Sequence, residues 1–264
     1  MSRESLRQTF GEDAELYDRV RPTYPPRLYD DIATLLQEPQ RPRVLEIGCG
    51  TGQATKPMLE RGWSVKAVEL SPELGRVART KLPELEVITA AFESWPLPAE
   101  KFDLVLSATA FHWIDPVVRV PKSADALRPG GLLAIVSTHH IAGGSEQFWT
   151  DVQDCYRRFT DDPVEVEMLT ADEVPQEDAA EIDASGRFGP VVVRQYEWEQ
   201  RYSAAEYLDL LSSYSGHRVL TSERRNGLYE CVSALINAAG GSITKRYLTR
   251  LTAANRLNQP LASG

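Results

Sequence analysis

The stretch Val44-Leu45-Glu46-Ile47-Gly48-Cys49-Gly50-Thr51-Gly52 carries glycine at every second position, with a carboxylate two residues ahead of the first. Glycine lets a backbone turn tightly and approach a ligand closely. A turn of this kind leading into a helix offers free N–H groups and a positive dipole end to an anionic group. A second carboxylate, Glu69, stands 17 residues past Gly52 at the end of Ala67-Val68-Glu69-Leu70. That distance fits one helix and one strand, which puts Glu69 at a strand tip, where a carboxylate can accept from both hydroxyls of a ribose. A dinucleotide fingerprint would read G-x-G-x-x-G; here the third glycine comes one residue early. An acid before the glycines and another ending the next strand predict a nucleoside-type cofactor.

Further along, Ser107-Ala108-Thr109-Ala110-Phe111-His112-Trp113-Ile114-Asp115 closes another strand. His112 is the candidate general base, since its ordinary pKa lies near neutrality; the competing reading is a structural hydrogen-bonder packed by Trp113. Asp115 precedes Pro116 and reads as a helix N-cap. His139 and His140 end a fifth strand and are candidates to line a substrate cavity. Near the N-terminus, the prolines of Arg21-Pro22-Thr23-Tyr24-Pro25-Pro26 exclude helix interior. If this arm folds over the cofactor, Arg21 can grip a carboxylate bidentately, with Tyr17 or Tyr24 donating to it; otherwise it is a surface arm pinned by aromatic packing.

The elements that must position these groups follow a regular rhythm. Strands are expected at 43–47, 64–70, 85–89, 102–107 and 132–137. Helices are expected at 25–36, 52–61, from Pro72, and at 116–127. Alternation of this kind implies a parallel sheet covered on both faces. The runs VLEI, LVL and LLAIV are apolar without alternation, as strands buried on both sides should be. The turn Pro129-Gly130-Gly131 is expected to precede the fifth strand. After 138 the rhythm breaks. Helices are expected at 146–159, 204–212 and 222–238, and strands at 191–198 and 242–251. The expected fold is therefore α/β, a doubly wound, seven-stranded, mostly parallel sheet with one antiparallel edge strand and a helical insertion over the strand ends.

In the expected organisation, 1–264 is a single domain. It comprises an N-terminal cap (1–38), a cofactor-binding core (43–138), an acidic insertion (139–189) acting as a mobile cover, and a C-terminal part of the sheet (190–254). The chain has 264 residues, 42% hydrophobic and 25% charged, with net charge −9. Such a balance describes a globular protein, not a disordered one. Residues 161–183 hold ten acids and no Lys or Arg, so the rest of the chain is close to neutral. No basic block suggests nucleic acid, no apolar run suggests a membrane span, and the N-terminus does not read as a signal peptide. Cys49, Cys155 and Cys231 form no metal-binding cluster, and no metal is expected. Their spacing favours a reduced, cytoplasmic protein. The expected partner is a small molecule, with the chain a monomer or homodimer.

Glu46-x-Gly48-x-Gly50-x-Gly52 followed by Glu69 resembles the first two motifs of the class I S-adenosylmethionine-dependent methyltransferases. The resemblance continues through Ala90–Pro98 after the third strand, Phe102–Ser107 as the fourth, and Leu127-Arg128-Pro129-Gly130-Gly131 before the fifth. Tyr17, Arg21, Pro22, Tyr24 and Pro25, with His112-Trp113, are similar to features of a small-molecule branch that includes trans-aconitate-type carboxyl methylators. The resemblance implies a Rossmann-like methyltransferase fold and S-adenosyl-L-methionine as cofactor. It implies contacts from Tyr17, Arg21, Glu46, Gly48, Cys49, Gly50, Gly52, Glu69, Leu70, Phe92, Glu93 and Ser107, and His112 as catalytic residue. Ala91 departs from the pattern: many relatives carry an acid there for the adenine amine, so backbone groups near Phe92 and Glu93 would take that contact. The expected activity is methyl transfer to a small molecule, with a carboxylic acid favoured. A nicotinamide-dependent oxidoreductase and a non-catalytic cofactor-binding protein are the alternatives.

Overall fold

The computed structural model describes residues 13–36, 40–160 and 168–258. Four of the ten acids of the 161–183 segment (Asp161, Asp162, Glu165 and Glu167) lie outside the described residues. The chain falls into two compact units. The sheet unit draws on Pro22–Thr138, Pro175–Tyr196 and Thr249–Gly264, and the helical unit on Met1–Arg21, His139–Val174 and Glu197–Leu248. The 139–189 stretch divides between them.

The strands are β1 (Arg43–Ile47), β2 (Ser64–Glu69), β3 (Glu86–Thr89), β4 (Phe102–Ala108), β5 (Leu127–Ile141), β6 (Val192–Ser203) and β7 (Ser242–Asn255). They form one seven-stranded sheet in the order β3-β2-β1-β4-β5-β7-β6. The pairs β1–β2, β1–β4, β2–β3 and β4–β5 are parallel. Gly130 N–H donates to Arg256 O and Arg256 N–H to Gly131 O, so the end of β7 meets the start of β5 and the two run antiparallel. Gly189 N–H donates to Asn255 O, just before β6, which makes β6 antiparallel to β7 and parallel to the rest. The expected antiparallel strand is thus β7, beside the outermost strand β6.

The sheet unit also contains α2 (Pro26–Leu36), α3 (Thr55–Glu60), α4 (Pro72–Lys81), α5 (Pro116–Ala126) and α7 (Glu177–Ala184). Strand residues alternate between its two faces. Val44, Leu104, Leu106, Leu132 and Ala134 bury against Leu28, Ile32 and Met58 of α2 and α3. Leu45, Val105, Leu133 and Ile135 bury against Val120 and Ala124 of α5. Both faces are covered, which is why these strands are apolar throughout. Ser71 caps α4 by accepting from Leu74 N–H, and Asp115 caps α5 by accepting from Val117 N–H, as expected of it.

Several boundaries differ from the sequence reading: β5 runs on to Ile141, β6 to Ser203 and β7 to Asn255, and α3 begins at Thr55. Pro129-Gly130-Gly131 is not a turn but part of β5, which begins at Leu127. The hydrogen bonds of Gly130 and Gly131 with Arg256 hold this irregular stretch in the sheet.

The helical unit is built from α1 (Ala14–Val20), α6 (Glu146–Phe159), α8 (Ala204–Ser212), α9 (Ser215–Arg218) and α10 (Ser222–Ala238), with the remaining lengths of β5, β6 and β7. Its own core joins Phe148, Trp149 and Val152 to Leu210, Leu211, Leu228 and Val232. A side chain at Gly227 would strike the Phe159 ring, so glycine allows α6 and α10 to pack closely there. This packing corrects the expectation of reduced cysteines: Cys155 and Cys231, 76 residues apart in sequence, form a disulfide between α6 and α10 with Cα atoms 5.8 Å apart. Cys49 is free and buried. Among the described residues no helix is long and apolar enough to cross a membrane.

Denatured, unreduced protein should therefore titrate as one thiol, and reduced protein as three. The double substitution Cys155→Ser, Cys231→Ser should cost about 2–4 kcal/mol of stability in urea unfolding. Three reactive thiols without reductant would rule out the bridge.

Candidate functional site

The candidate site begins where β1 ends. Gly48 N–H donates to Val68 O at 2.8 Å, extending the β1–β2 ladder by one step. The chain then turns through three left-handed glycines, Gly48, Gly50 and Gly52, with φ of 72°, 57° and 92°. A Cβ at Gly48 would lie 2.6 Å from the Ala110 Cβ. Glycine at 48 thus satisfies both a positive φ and a close approach to the turn that holds His112.

Glu69 fixes the loop from the neighbouring strand. Its Oε2 accepts from Gly50 N–H at 2.8 Å and its Oε1 from Ser71 N–H at 2.8 Å. Its carbonyl accepts from Ala90 N–H at 3.0 Å, joining β3 to the same point. The carboxylate is buried.

Glu46 lies on the other side of the loop, almost fully buried at 1% exposure. Thr55 Oγ1 donates to its Oε2 at 2.6 Å, while Oε1 is buried without a hydrogen-bond partner among the described residues. Burial, reinforced by the Glu69 charge and opposed by the Thr55 hydroxyl, raises the Glu46 pKa from 4.5 to about 7. Burial, with both carboxylates nearby, pushes the Cys49 thiol well up. Cys49 is therefore a packing group and not a nucleophile. Ser107, fully buried, donates to Ile47 O at 3.0 Å and steadies the end of β1.

The other expected residues of the sheet unit fall around this frame. Leu70 is half-buried beside Glu69. Phe92 is buried, with the Lys122 ammonium 5.3 Å from its ring centroid. Lys122 Nζ also donates to Glu93 O at 2.9 Å and Trp95 O at 2.6 Å, pinning this segment to α5. His112 is exposed on a 3₁₀ turn, Phe111–Trp113, its ring 5.0 Å from that of Trp113. Two groups escape sequence reasoning. Thr55 carries no spacing signal for its bond to Glu46. Thr109 adopts φ 54°, uncommon for a non-glycine residue, and its hydroxyl meets Tyr24 OH at 2.9 Å. Among the described residues no group of His, Cys, Asp and Glu is arranged to hold a metal ion.

Tyr17, Arg21, His139 and His140 belong to the helical unit. Arg21 does not present a free bidentate fork. Its guanidinium lies 4.7 Å from the Tyr17 ring centroid and 4.6 Å from that of Tyr214, with NH2 donating to Ser213 O at 2.9 Å. The His140 ring packs edge-on against Trp149 at 4.3 Å.

The loop fits the group that the motifs imply. Bare glycines clear one side of the turn, Glu46 Oε1 has no donor among the described residues, and the Glu69 carboxylate stands at the strand tip beside the loop. Residues 45–135 match the model of a methyltransferase domain family. An uncharacterized methyltransferase of Mycobacterium tuberculosis is 42% identical over 135 residues, 51% of this chain and 54% of the relative. The chain thus spans about half the length of that curated relative. An uncharacterized methyltransferase of Geobacillus thermodenitrificans is 34% identical over 148 residues, 52% of this chain and 68% of the relative. Among solved structures, a protein described as a candidate type II methyltransferase from Anaeromyxobacter dehalogenans shares the fold, with TM-score 0.62 and 23% identity over 90% of this chain and 99% of that one.

The raised Glu46 pKa carries a prediction. The folded state holds the proton more tightly than the unfolded chain. Its stabilising share is complete below pH 4.5 and is lost as pH rises through about 7. The gap is worth about 3 kcal/mol. Glu46→Gln, always neutral, should escape this loss, so its melting temperature relative to wild type should rise between pH 4.5 and 7.5. A constant difference across that range would contradict the buried-carboxylate assignment.

Proposed function

Because the chain belongs to the class I S-adenosylmethionine-dependent methyltransferases, we propose that it methylates a small molecule, with a carboxylic acid as the favoured acceptor. The observation that carries the cofactor half is the Glu69 carboxylate bound to Gly50 N–H at the turn between β1 and α3. When bound, S-adenosylmethionine supplies an electrophilic methyl group on a positively charged sulfur.

This chain's own residues would do the rest. Glu69 would accept the ribose hydroxyls while still holding the loop. Gly48, Gly50 and Gly52 would leave room for the cofactor's backbone, with Cys49 packed behind them. Glu46 would take a donor from its cationic end on the free Oε1, and Ser107 would keep the end of β1 in place. Leu70, Phe92 and Glu93 would border the adenine.

A carboxylic acid is ionised at neutral pH and needs no base; the protein then contributes chiefly by holding nucleophile and methyl donor in line. His112 is the candidate base should the acceptor be a phenol or amine. It is exposed on the turn after β4. The preference for an acid comes from the Tyr17–Pro25 and His112-Trp113 resemblance.

Glu69→Ala should weaken binding of S-adenosylhomocysteine by about 1.5–3 kcal/mol, the worth of hydrogen bonds to a charged group. An unchanged dissociation constant would remove Glu69 from the cofactor site. Methyl transfer is tested with labelled S-adenosylmethionine against panels of carboxylic acids and phenols. Turnover of acids, modestly reduced in His112→Ala, is the expected result. Turnover confined to phenols, with a loss of about 10²–10⁴-fold in His112→Ala, would overturn the acid preference and make His112 the base.

A further inference from the structure

We propose that the helical unit carries a binding site for a small organic anion with a flat, unsaturated body, centred on Lys245.

Lys245 lies on β7 between Ile243 and Tyr247, in the row of residues that faces the unit's core. It is 6% exposed. Its Nζ stands 5.2 Å from the ring centroid of Tyr247, 5.8 Å from Tyr214, 5.9 Å from Tyr207 and 6.0 Å from Trp149. Among the described residues neither a hydrogen-bond acceptor nor a carboxylate pairs with it. Four rings attract a cation through their faces, but a largely buried lysine is normally paired with an acid.

The surrounding polar groups share that deficit. Trp149 Nε1 and Arg21 Nε are buried donors with no acceptor among the described residues. Arg21 reaches Lys245 through a shared neighbour, since its guanidinium lies over the same Tyr214 ring. His140 packs on Trp149, and its Nε2 is also unpartnered. Burial and the Lys245 charge push the His140 pKa down to about 3 and the His217 pKa to about 4. Both imidazoles are therefore neutral at physiological pH, and Lys245 and Arg21 are the charges of the cluster.

Among the described residues, two cations and an indole N–H with no facing acid make a donor-rich cluster that lacks an acceptor. A carboxylate supplies the missing charge and lone pairs, and its oxygens are suited to ammonium and guanidinium donors. The side chains around Lys245 are aromatic, and rings pack best against other flat groups. A cationic ligand would meet Lys245 with like charge.

The test titrates the full chain by calorimetry with trans-cinnamate, benzoate and phenylacetate, and with cinnamamide and cinnamylamine as neutral and cationic counterparts. At least one acid should bind, with the amide weaker by about tenfold or more and the amine weaker still. Lys245→Met should weaken the acid by about tenfold or more, while Lys245→Arg recovers most of it. S-adenosylhomocysteine binding should be unchanged in both variants, which also reports that they fold. Failure of all three acids, equal binding of amide or amine, or full acid binding by a folded Lys245→Met would overturn the site. If Lys245→Met does not fold, the ranking of acid, amide and amine on wild type decides. Binding of S-adenosylhomocysteine without any acid would sink the anion site alone. Binding of an acid without S-adenosylhomocysteine would sink the methyltransferase reading and leave the anion site standing.

Discussion

The Glu69 carboxylate is the point on which the sheet unit's candidate site depends. Its two oxygens tie together the glycine turn after β1, through Gly50, and the start of α4, through Ser71. Its own carbonyl anchors Ala90 at the end of β3. Three strand ends are therefore fixed by one residue. The arrangement works only with a backbone that can turn its N–H groups inward, and the positive φ of Gly50 provides this. A side chain that positions the loop before any ligand arrives lowers the ordering cost of binding.

The two acids flanking the loop have different characters. Glu69 is satisfied by backbone donors. Glu46 has one bond from Thr55 and one bare buried oxygen, and its pKa rises toward neutrality for lack of compensation. A residue so placed is destabilising when ionised and alone, and a donor or cation brought by a ligand removes that penalty. The loop is thus prepared on one side and under-satisfied on the other.

Much of the sheet unit was legible in the sequence because its strands are buried on both faces, which makes them apolar runs whose order can be read without partners. The glycine spacing and the distance to Glu69 located the turn. What could not be read were pairings between distant segments. Pro129-Gly130-Gly131 has the composition of a turn, and its pairing with Arg256 beyond β7 places it in the sheet. Cys155 and Cys231 gave no motif, because their bridge depends on the packing of α6 against α10. Lys245 looked like any charge in an alternating strand; that its face is the buried one follows from the aromatic residues of α6 and α8. Nor did the sequence show that the Arg21 guanidinium lies over the rings of both Tyr17 and the distant Tyr214.

The central claim is that the Glu46–Gly48–Gly50–Gly52–Glu69 frame receives S-adenosylmethionine. Calorimetric titration of the whole chain with S-adenosylmethionine, S-adenosylhomocysteine and NAD tests it most directly. The account predicts saturable binding of the first two at one site and much weaker binding of NAD. Tighter binding of NAD, or no binding of either sulfur ligand by folded protein, would contradict it.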